Sequence, residues 1–128
     1  MPARRRILET IDEYGKDALL ATQQQIYTCS GAANQSWTHT SAGALTVTVG
    51  GQTLCLDANN KGTTNGTKAI IYTCNGQTNQ QWNINSNGTI TSALSGLCLD
   101  VTGASTANGA LVELWACNGG SNQQWHLG

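Results

Sequence analysis

Short apolar runs separated by clusters of small polar residues dominate the chain from residue 22 onward. Residues 45–49 alternate between apolar and polar, and residues 70–72 and 111–115 are rich in β-branched and aromatic side chains, as strands are. Asn-Gly pairs, which favour tight turns, lie at 75–76, 87–88 and 118–119. With one proline and no long helical periodicity, the pattern predicts a closed all-β domain whose strands recur about every ten residues.

One four-residue pattern occurs three times along the chain. The copies are Asn34-Gln35-Ser36-Trp37, Asn79-Gln80-Gln81-Trp82 and Asn122-Gln123-Gln124-Trp125. Each follows a similar upstream block that ends in cysteine, at 25–29, 70–74 and 113–117. The repeating unit is therefore about 43 residues long. We predict a single domain over 1–128 with repeats at approximately 1–40, 41–84 and 85–128, in which the three tryptophans mainly pack in a shared core.

The first repeat is atypical. Residues 1–21 hold eight of the thirteen charged side chains. Their local propensity favours an amphipathic helix, whereas Thr10-Ile11-Asp12 aligns without a gap with the two Cys-Leu-Asp segments and favours a β unit. We expect the opening strand, residues 1–6, to be frayed or absent, so that a second chain could pair with the exposed edge and form an oligomer. A truncated, spliced or engineered beginning is compatible with this change in composition.

Net charge and apolar content exclude several classes of function. The net charge of -1 argues against nucleic acid as a partner, because such binding requires a basic surface. No apolar run approaches the length of a transmembrane helix. The basic start lacks the apolar core of a signal peptide, so we expect any export to be directed from outside this chain. The uncharged Asn-, Gln-, Ser- and Thr-rich remainder suits neutral polyhydroxylated ligands.

The cysteines predict two disulfides. Cys55 and Cys74, and likewise Cys98 and Cys117, are 19 residues apart in equivalent repeats, which favours one bridge in each repeat and a secreted protein. The alternative, buried free thiols in a cytosolic protein, remains open. Cys29 has Thr10 where its partner would lie, so we expect it to be a free thiol. No Cys-x-x-Cys spacing occurs, and His39 and His126 have no matching ligands nearby, so no metal or other cofactor is predicted.

The three Gln-x-Trp motifs, the Cys-Leu-Asp segments and the aromatic-x-Cys blocks together resemble the ricin B-chain type β-trefoil lectins. That family includes the family-13 carbohydrate-binding modules of secreted bacterial polysaccharide-degrading enzymes. The resemblance covers residues 22–128 well and residues 7–21 only through Asp12. It implies a β-trefoil, twelve strands in three lobes around a pseudo-threefold axis, with one shallow sugar site in each lobe.

The resemblance also implies which side chains bind sugar. In the first lobe they are Asp12, Gln25, Tyr27, Asn34 and Gln35. In the second they are Asp57, Tyr72, Asn79 and Gln80, with Ile70 where a polar residue is expected. In the third they are Asp100, Glu113, Trp115, Asn122 and Gln123. An aromatic ring covers the apolar face of a sugar while carboxylates and amides bind its hydroxyls. We expect sugar binding to be strongest in the third lobe, weaker in the first and weakest in the second. The alternative is that Asp57 and Asp100 only cap turns.

Our main hypothesis is non-catalytic carbohydrate binding, with galactose-containing or xylan-type ligands both compatible with the resemblance. Glycoside hydrolysis requires two carboxylates on either side of one bond. Only the third lobe offers such a pair, Asp100 and Glu113, and without a predicted cleft, so we expect no enzyme. The alternative is an altered trefoil that serves folding or assembly without binding sugar.

Overall fold

The computed structural model describes residues 23–27 and 36–125. Several sequence-based expectations fall outside these ranges. They concern Asp12, Cys29, Asn34, Gln35, His126, and the choice between helix and strand for residues 1–21.

Residues 36–125 form two four-stranded antiparallel sheets. The first contains β1 (Trp37–His39), β2 (Leu45–Val49), β3 (Gln52–Ala58) and β4 (Ala69–Thr73). The second contains β5 (Trp82–Ile84), β6 (Ile90–Ser92), β7 (Cys98–Val101) and β8 (Val112–Trp115). Short 3-10 turns lie at Asn59–Lys61, Thr78–Gln80, Thr102–Ala104 and Ser121–Gln123. The all-β prediction is confirmed over the described part of the chain.

Predicted turns and strands agree with the structure. Gly76 and Gly119, the second residues of two Asn-Gly pairs, have φ angles of 73° and 76°, which glycine adopts without steric cost. Within each sheet, neighbouring strands follow one another along the chain. The register of β3 on β4 places Asp57 opposite Ile70, and that of β7 on β8 places Asp100 opposite Glu113. Equivalent pairs of positions therefore recur in both sheets.

Three isolated bridges join the lobes in a closed ring. Gln23 pairs with Ile70, Lys68 with Glu113, and Gln25 with Leu111. Residues 25, 70 and 113 occupy equivalent positions in the three repeats. Each bridge joins one of these residues to the residue two positions before the equivalent one in another lobe. The first lobe thus contacts the second, the second contacts the third, and the third returns to the first. This ring supports the prediction of three equivalent units.

The core lies where the lobes meet. Trp37, Trp82 and Trp125 are all buried within it, as predicted. The indole nitrogen of Trp82 donates a 3.0 Å hydrogen bond to the carbonyl of Leu56, and that of Trp125 a 2.9 Å bond to the carbonyl of Leu99. Each of these leucines is the centre of a Cys-Leu-Asp segment. The Trp therefore fixes the backbone immediately beside the aspartate.

Both predicted disulfides are present. Cys55 is bonded to Cys74 and Cys98 to Cys117, with Cα atoms 5.1 Å apart in each bridge. Each bridge ties the third strand of its sheet to the chain just after the fourth strand. In the chain-entropy model a loop of this size stabilises the fold by about 3 kcal/mol.

Neither a membrane-spanning helix nor a metal-binding cluster occurs among the described residues. None of the helices there is long and apolar enough to cross a membrane. Within the same residues, no group of three or more His, Cys, Asp or Glu side chains could hold a metal ion.

Candidate functional site

The third lobe contains a cavity of about 380 Å³. It brings together four of the five residues predicted for this lobe: Asp100, Glu113, Trp115 and Asn122. The rest of its wall is formed by Thr102, Gly103, Ala104 and Asn118. Gln123, the fifth predicted residue, is absent from the wall.

Strand pairing positions the acidic and aromatic groups of this cavity. Asp100 on β7 lies opposite Glu113 on β8, and Trp115 follows two residues later, on the same face of β8. Asp100 is 4% exposed, whereas Trp115 is 42% exposed. A buried carboxylate thus lies beside an open aromatic ring. The Cys98–Cys117 bridge lies next to both residues, because Cys98 is two residues before Asp100 and Cys117 is two residues after Trp115.

Gln123 holds Asp100 in place. Its Nε2 donates to Asp100 Oδ2 at 2.8 Å and to the Ala116 carbonyl at 3.1 Å. Its Oε1 accepts a 2.9 Å hydrogen bond from the Asn118 backbone N–H. Gln123 is fully buried, so in this structure it positions the carboxylate from behind the cavity wall.

Asn122 is the amide that reaches the cavity. Its Nδ2 donates to Asp100 Oδ2 and to the Val101 carbonyl, both at 3.1 Å. A Cβ atom at Gly120 would lie 2.6 Å from Asn122 Oδ1 and 2.9 Å from Asn118 Oδ1. Glycine at this position therefore leaves room for both asparagines to line the cavity.

The two carboxyl groups of the third lobe influence each other. Loss of hydration raises the pKa of Glu113, and a side-chain hydrogen bond with Asp100 and the charge of Asp100 raise it further. A hydrogen bond with Thr102 acts in the opposite direction. The pair therefore resists carrying two full negative charges.

The second lobe repeats this frame around a cavity of about 230 Å³. Gln80 Nε2 donates to Asp57 Oδ2 and to the Thr73 carbonyl, both at 2.9 Å, while Gln80 Oε1 accepts from the Asn75 N–H at 2.8 Å. Gln80 is buried, as Gln123 is. Asp57, Tyr72 and Asn79 line the cavity. Three of the four residues predicted for this lobe thus meet in one place, and the fourth supports them.

Burial dominates the electrostatics of the second cavity. It raises the pKa of Asp57, and the amides of Gln80 and Asn79 offset part of that effect by hydrogen bonding. The Asn79 amide donates to the Ala58 carbonyl at 3.2 Å, and its Oδ1 has no hydrogen-bond partner among the described residues. Unpaired buried oxygens are uncommon.

The charge of the second cavity differs from that of the third at one strand position and in one turn. Ile70 occupies the place of Glu113, as the sequence indicates, and is 4% exposed. Lys61 lines this cavity, and sequence reasoning missed it. The Asn59–Lys61 turn places Asn60 and Lys61 at positive φ, both 55°, which is uncommon for residues other than glycine. The signal available in the sequence was mainly position, since the turn begins two residues after the aspartate of Cys-Leu-Asp.

Only part of the first predicted site can be described. Tyr27 is 49% exposed, and Gln25 is half-buried and pairs with Leu111 across the lobe boundary. The remaining predicted members, Asp12, Asn34 and Gln35, lie outside the described ranges.

Comparison with solved structures gives several similar folds. The designed threefold-symmetric protein ThreeFoil is 32% identical over 84% of this chain and 81% of its own, with a TM-score of 0.72. The exo-β-1,3-galactanase 1,3Gal43A from Clostridium thermocellum is 26% identical over 99% of this chain and 30% of its own, with a TM-score of 0.69. The hemolytic lectin CEL-III is 21% identical over 97% of this chain and 29% of its own, with a TM-score of 0.74. The chain thus spans less than a third of the galactanase and of CEL-III.

Sequence comparison identifies the family. No curated protein sequence matches the chain. The profile of the ricin-type beta-trefoil lectin domain matches residues 9–125, and the likeness to ThreeFoil agrees with a β-trefoil. The chain therefore belongs to the ricin-type β-trefoil lectins, a family of carbohydrate-binding domains.

Proposed function

We propose that this domain binds neutral sugars without catalysis, through shallow sites in its lobes, with the third site the strongest. The observation that carries the proposal is the repeated frame of the second and third lobes. In each, a buried glutamine holds an aspartate beside an exposed aromatic ring that lines a cavity.

The proposed chemistry follows from these groups. The exposed ring of Trp115 or Tyr72 offers an apolar plate to the C–H face of a sugar. The aspartate accepts hydrogen bonds from hydroxyl groups, with the added strength that a charged acceptor provides.

Galactose-containing polysaccharides are our first choice of ligand, and xylan-type polymers are the second. The likeness to an exo-β-1,3-galactanase over nearly the whole of this chain supports that order. Since that likeness covers 30% of the galactanase, we propose that the domain contributes binding and no hydrolysis. Asp100 and Glu113 occupy directly opposed positions on one face of the sheet, whereas the two carboxyl groups of a glycosidase lie on either side of the bond that is cleaved.

A glycan array with the purified protein tests this function. We expect signal on galactan or xylan oligosaccharides, and tighter binding to immobilised polymer than to monosaccharide, because several sites on one domain add avidity. Trp115→Ala should weaken binding about tenfold or more, and Tyr72→Ala less. Ile84→Ala, a similarly exposed apolar residue outside both cavities, is the matched control. Silence of the folded protein on every glycan would favour a role in folding or assembly instead.

We also propose that the protein works in an oxidising, extracellular compartment, because its two bridges require one. Thiol titration of the denatured, unreduced protein isolated from its native source should give one free thiol, that of Cys29. Five free thiols would contradict the proposal.

A further inference from the structure

The second and third cavities have different charges. Among their described lining residues, the third holds two carboxyl groups, Asp100 and Glu113, and no cation. The second holds Asp57 together with Lys61, and apolar Ile70 takes the place of Glu113. Two sites built on one frame thus offer different chemistry within one chain.

We propose that the third cavity prefers sugars that carry a free, protonated amine, such as hexosamine units without an N-acetyl group. The inference rests on the proposed sugar-binding function and refines it: at this site a cationic sugar binds more tightly than the neutral sugar of the same stereochemistry. The second cavity, in which Lys61 balances Asp57, should show no such preference.

The geometry of the pair carries this proposal. Asp100 and Glu113 are direct cross-strand partners, and both line the cavity. Like charges at such positions destabilise a sheet, and either a proton or a bound cation relieves the repulsion. An ammonium group has three N–H donors and no acceptor. It therefore satisfies two carboxylates better than a hydroxyl group does.

The aromatic wall strengthens the same preference. Trp115 lines the cavity and is 42% exposed. A ring face attracts a cation as well as the C–H face of a sugar. An amino sugar could therefore use both properties of the ring, whereas a neutral sugar uses one.

Among the described residues, one further charged side chain belongs to the strand pairing of Glu113. Lys68, across the lobe boundary, pairs with Glu113 through the backbone, but it is exposed and does not line the cavity. Asp100 faces Glu113 from β7, and Thr102 of the adjoining turn lines the same cavity. Since loss of hydration and the charge of Asp100 raise the pKa of Glu113, a proton competes with the ammonium group for this pair. Amine binding should therefore weaken as the pH falls.

The test compares galactosamine, N-acetylgalactosamine and galactose as single sugars, which removes avidity. Binding is followed by NMR through the indole N–H signal of Trp115. At about pH 7 we expect galactosamine to bind roughly five to ten times more tightly than the other two. At about pH 5 the amine stays protonated, and the ratio should fall. Part of the preference should persist at about 1 M salt, where long-range attraction is screened.

Glu113→Gln is the decisive variant, and its ratio of galactosamine to galactose affinity should approach one. Should the variant fail to fold, the pH dependence of the wild-type ratio provides the same test. If galactose shifts the Trp115 signal and galactosamine binds no more tightly, the amine preference is wrong and the proposed function survives. If neither sugar nor polymer binds, both fail. An unchanged ratio in Glu113→Gln would exclude the carboxyl pair as its cause.

Discussion

Two residue types that the sequence groups together have different roles in the structure. The Asn and Gln of each Asn-Gln-x-Trp motif were both expected to contact sugar. Gln80 and Gln123 are instead buried behind their aspartates, whereas Asn79 and Asn122 line the cavities. The glutamine is therefore a positioning residue, and direct contact stays a proposal for the asparagine.

Replacing Gln123 by Met tests this positioning role. Met fills a similar volume but cannot donate to Asp100 Oδ2 or pair with the Asn118 N–H. Because these buried groups lose partners, we expect the free energy of unfolding to fall by about 2–4 kcal/mol, with weaker sugar binding in the third lobe. Urea denaturation and a binding titration measure both effects. Gln124→Met, at the half-buried neighbour, is the control, and an equal loss there would contradict the assignment.

The carboxyl pair predicts a pH dependence of stability. The pKa of Glu113 is raised in the folded state, so ionisation of Glu113 favours the unfolded state. The stabilising contribution of the protonated group is therefore present at low pH and is lost as the pH rises through the raised pKa. Glu113→Gln removes this dependence. We expect the melting temperature of the variant, relative to wild type, to be higher at about pH 7 than at about pH 4. Equal differences at both pH values would show that Glu113 titrates alike in both states.

At the scale of elements, each of the two described sites is built from two strands and two 3-10 turns, with a disulfide beside them. Strands β7 and β8 bring Asp100, Glu113 and Trp115 together, and the Ser121–Gln123 turn adds the two amides. The sequence predicted β8 because the apolar pattern of residues 111–115 is local. It did not reveal that the turns after Cys-Leu-Asp complete the cavity walls. Lys61 and Ala104 have positive φ angles there, and neither residue type predicts such an angle.

Removing a disulfide separates stability from site geometry. Cys98→Ala with Cys117→Ala, and Cys55→Ala with Cys74→Ala, should each lower the free energy of unfolding by about 3 kcal/mol, because both close loops of the same length. The first pair should weaken sugar binding more, since Cys98 lies opposite Trp115, which lines the third cavity. Denaturation curves and affinity measurements on the two variants provide the comparison, and equal loss of affinity would contradict the ranking of the sites.

The whole molecule is held together by contacts between lobes. The ring of three bridges and the shared tryptophan core make each lobe depend on the other two. Leu114 belongs to this junction: it is fully buried, its N–H donates to the Thr67 carbonyl, and its carbonyl accepts from Gly66. A lobe in isolation would leave such groups without partners.

Leu114→Ala should therefore weaken the whole domain. We expect a loss of about 3 kcal/mol, typical of a leucine truncated in a packed core, in a single transition seen alike by tryptophan fluorescence and far-UV circular dichroism. Leu94→Ala, at a leucine that is 38% exposed, should change stability by about 0.5 kcal/mol or less. Separate transitions for the two probes would show that the lobes unfold independently.

The sequence by itself determined the repeat, the strands, both disulfides, the buried tryptophans and the family, because each depends on residue types that recur at fixed spacing. Tertiary structure decided which polar side chains are free to reach a ligand, since burial depends on what packs against a residue and not on the residue itself. It placed Gln123 behind Asp100, brought Lys61 to the second cavity, and set Glu113 directly opposite Asp100. The last two placements give the two cavities different charges, whereas the buried glutamine is common to both.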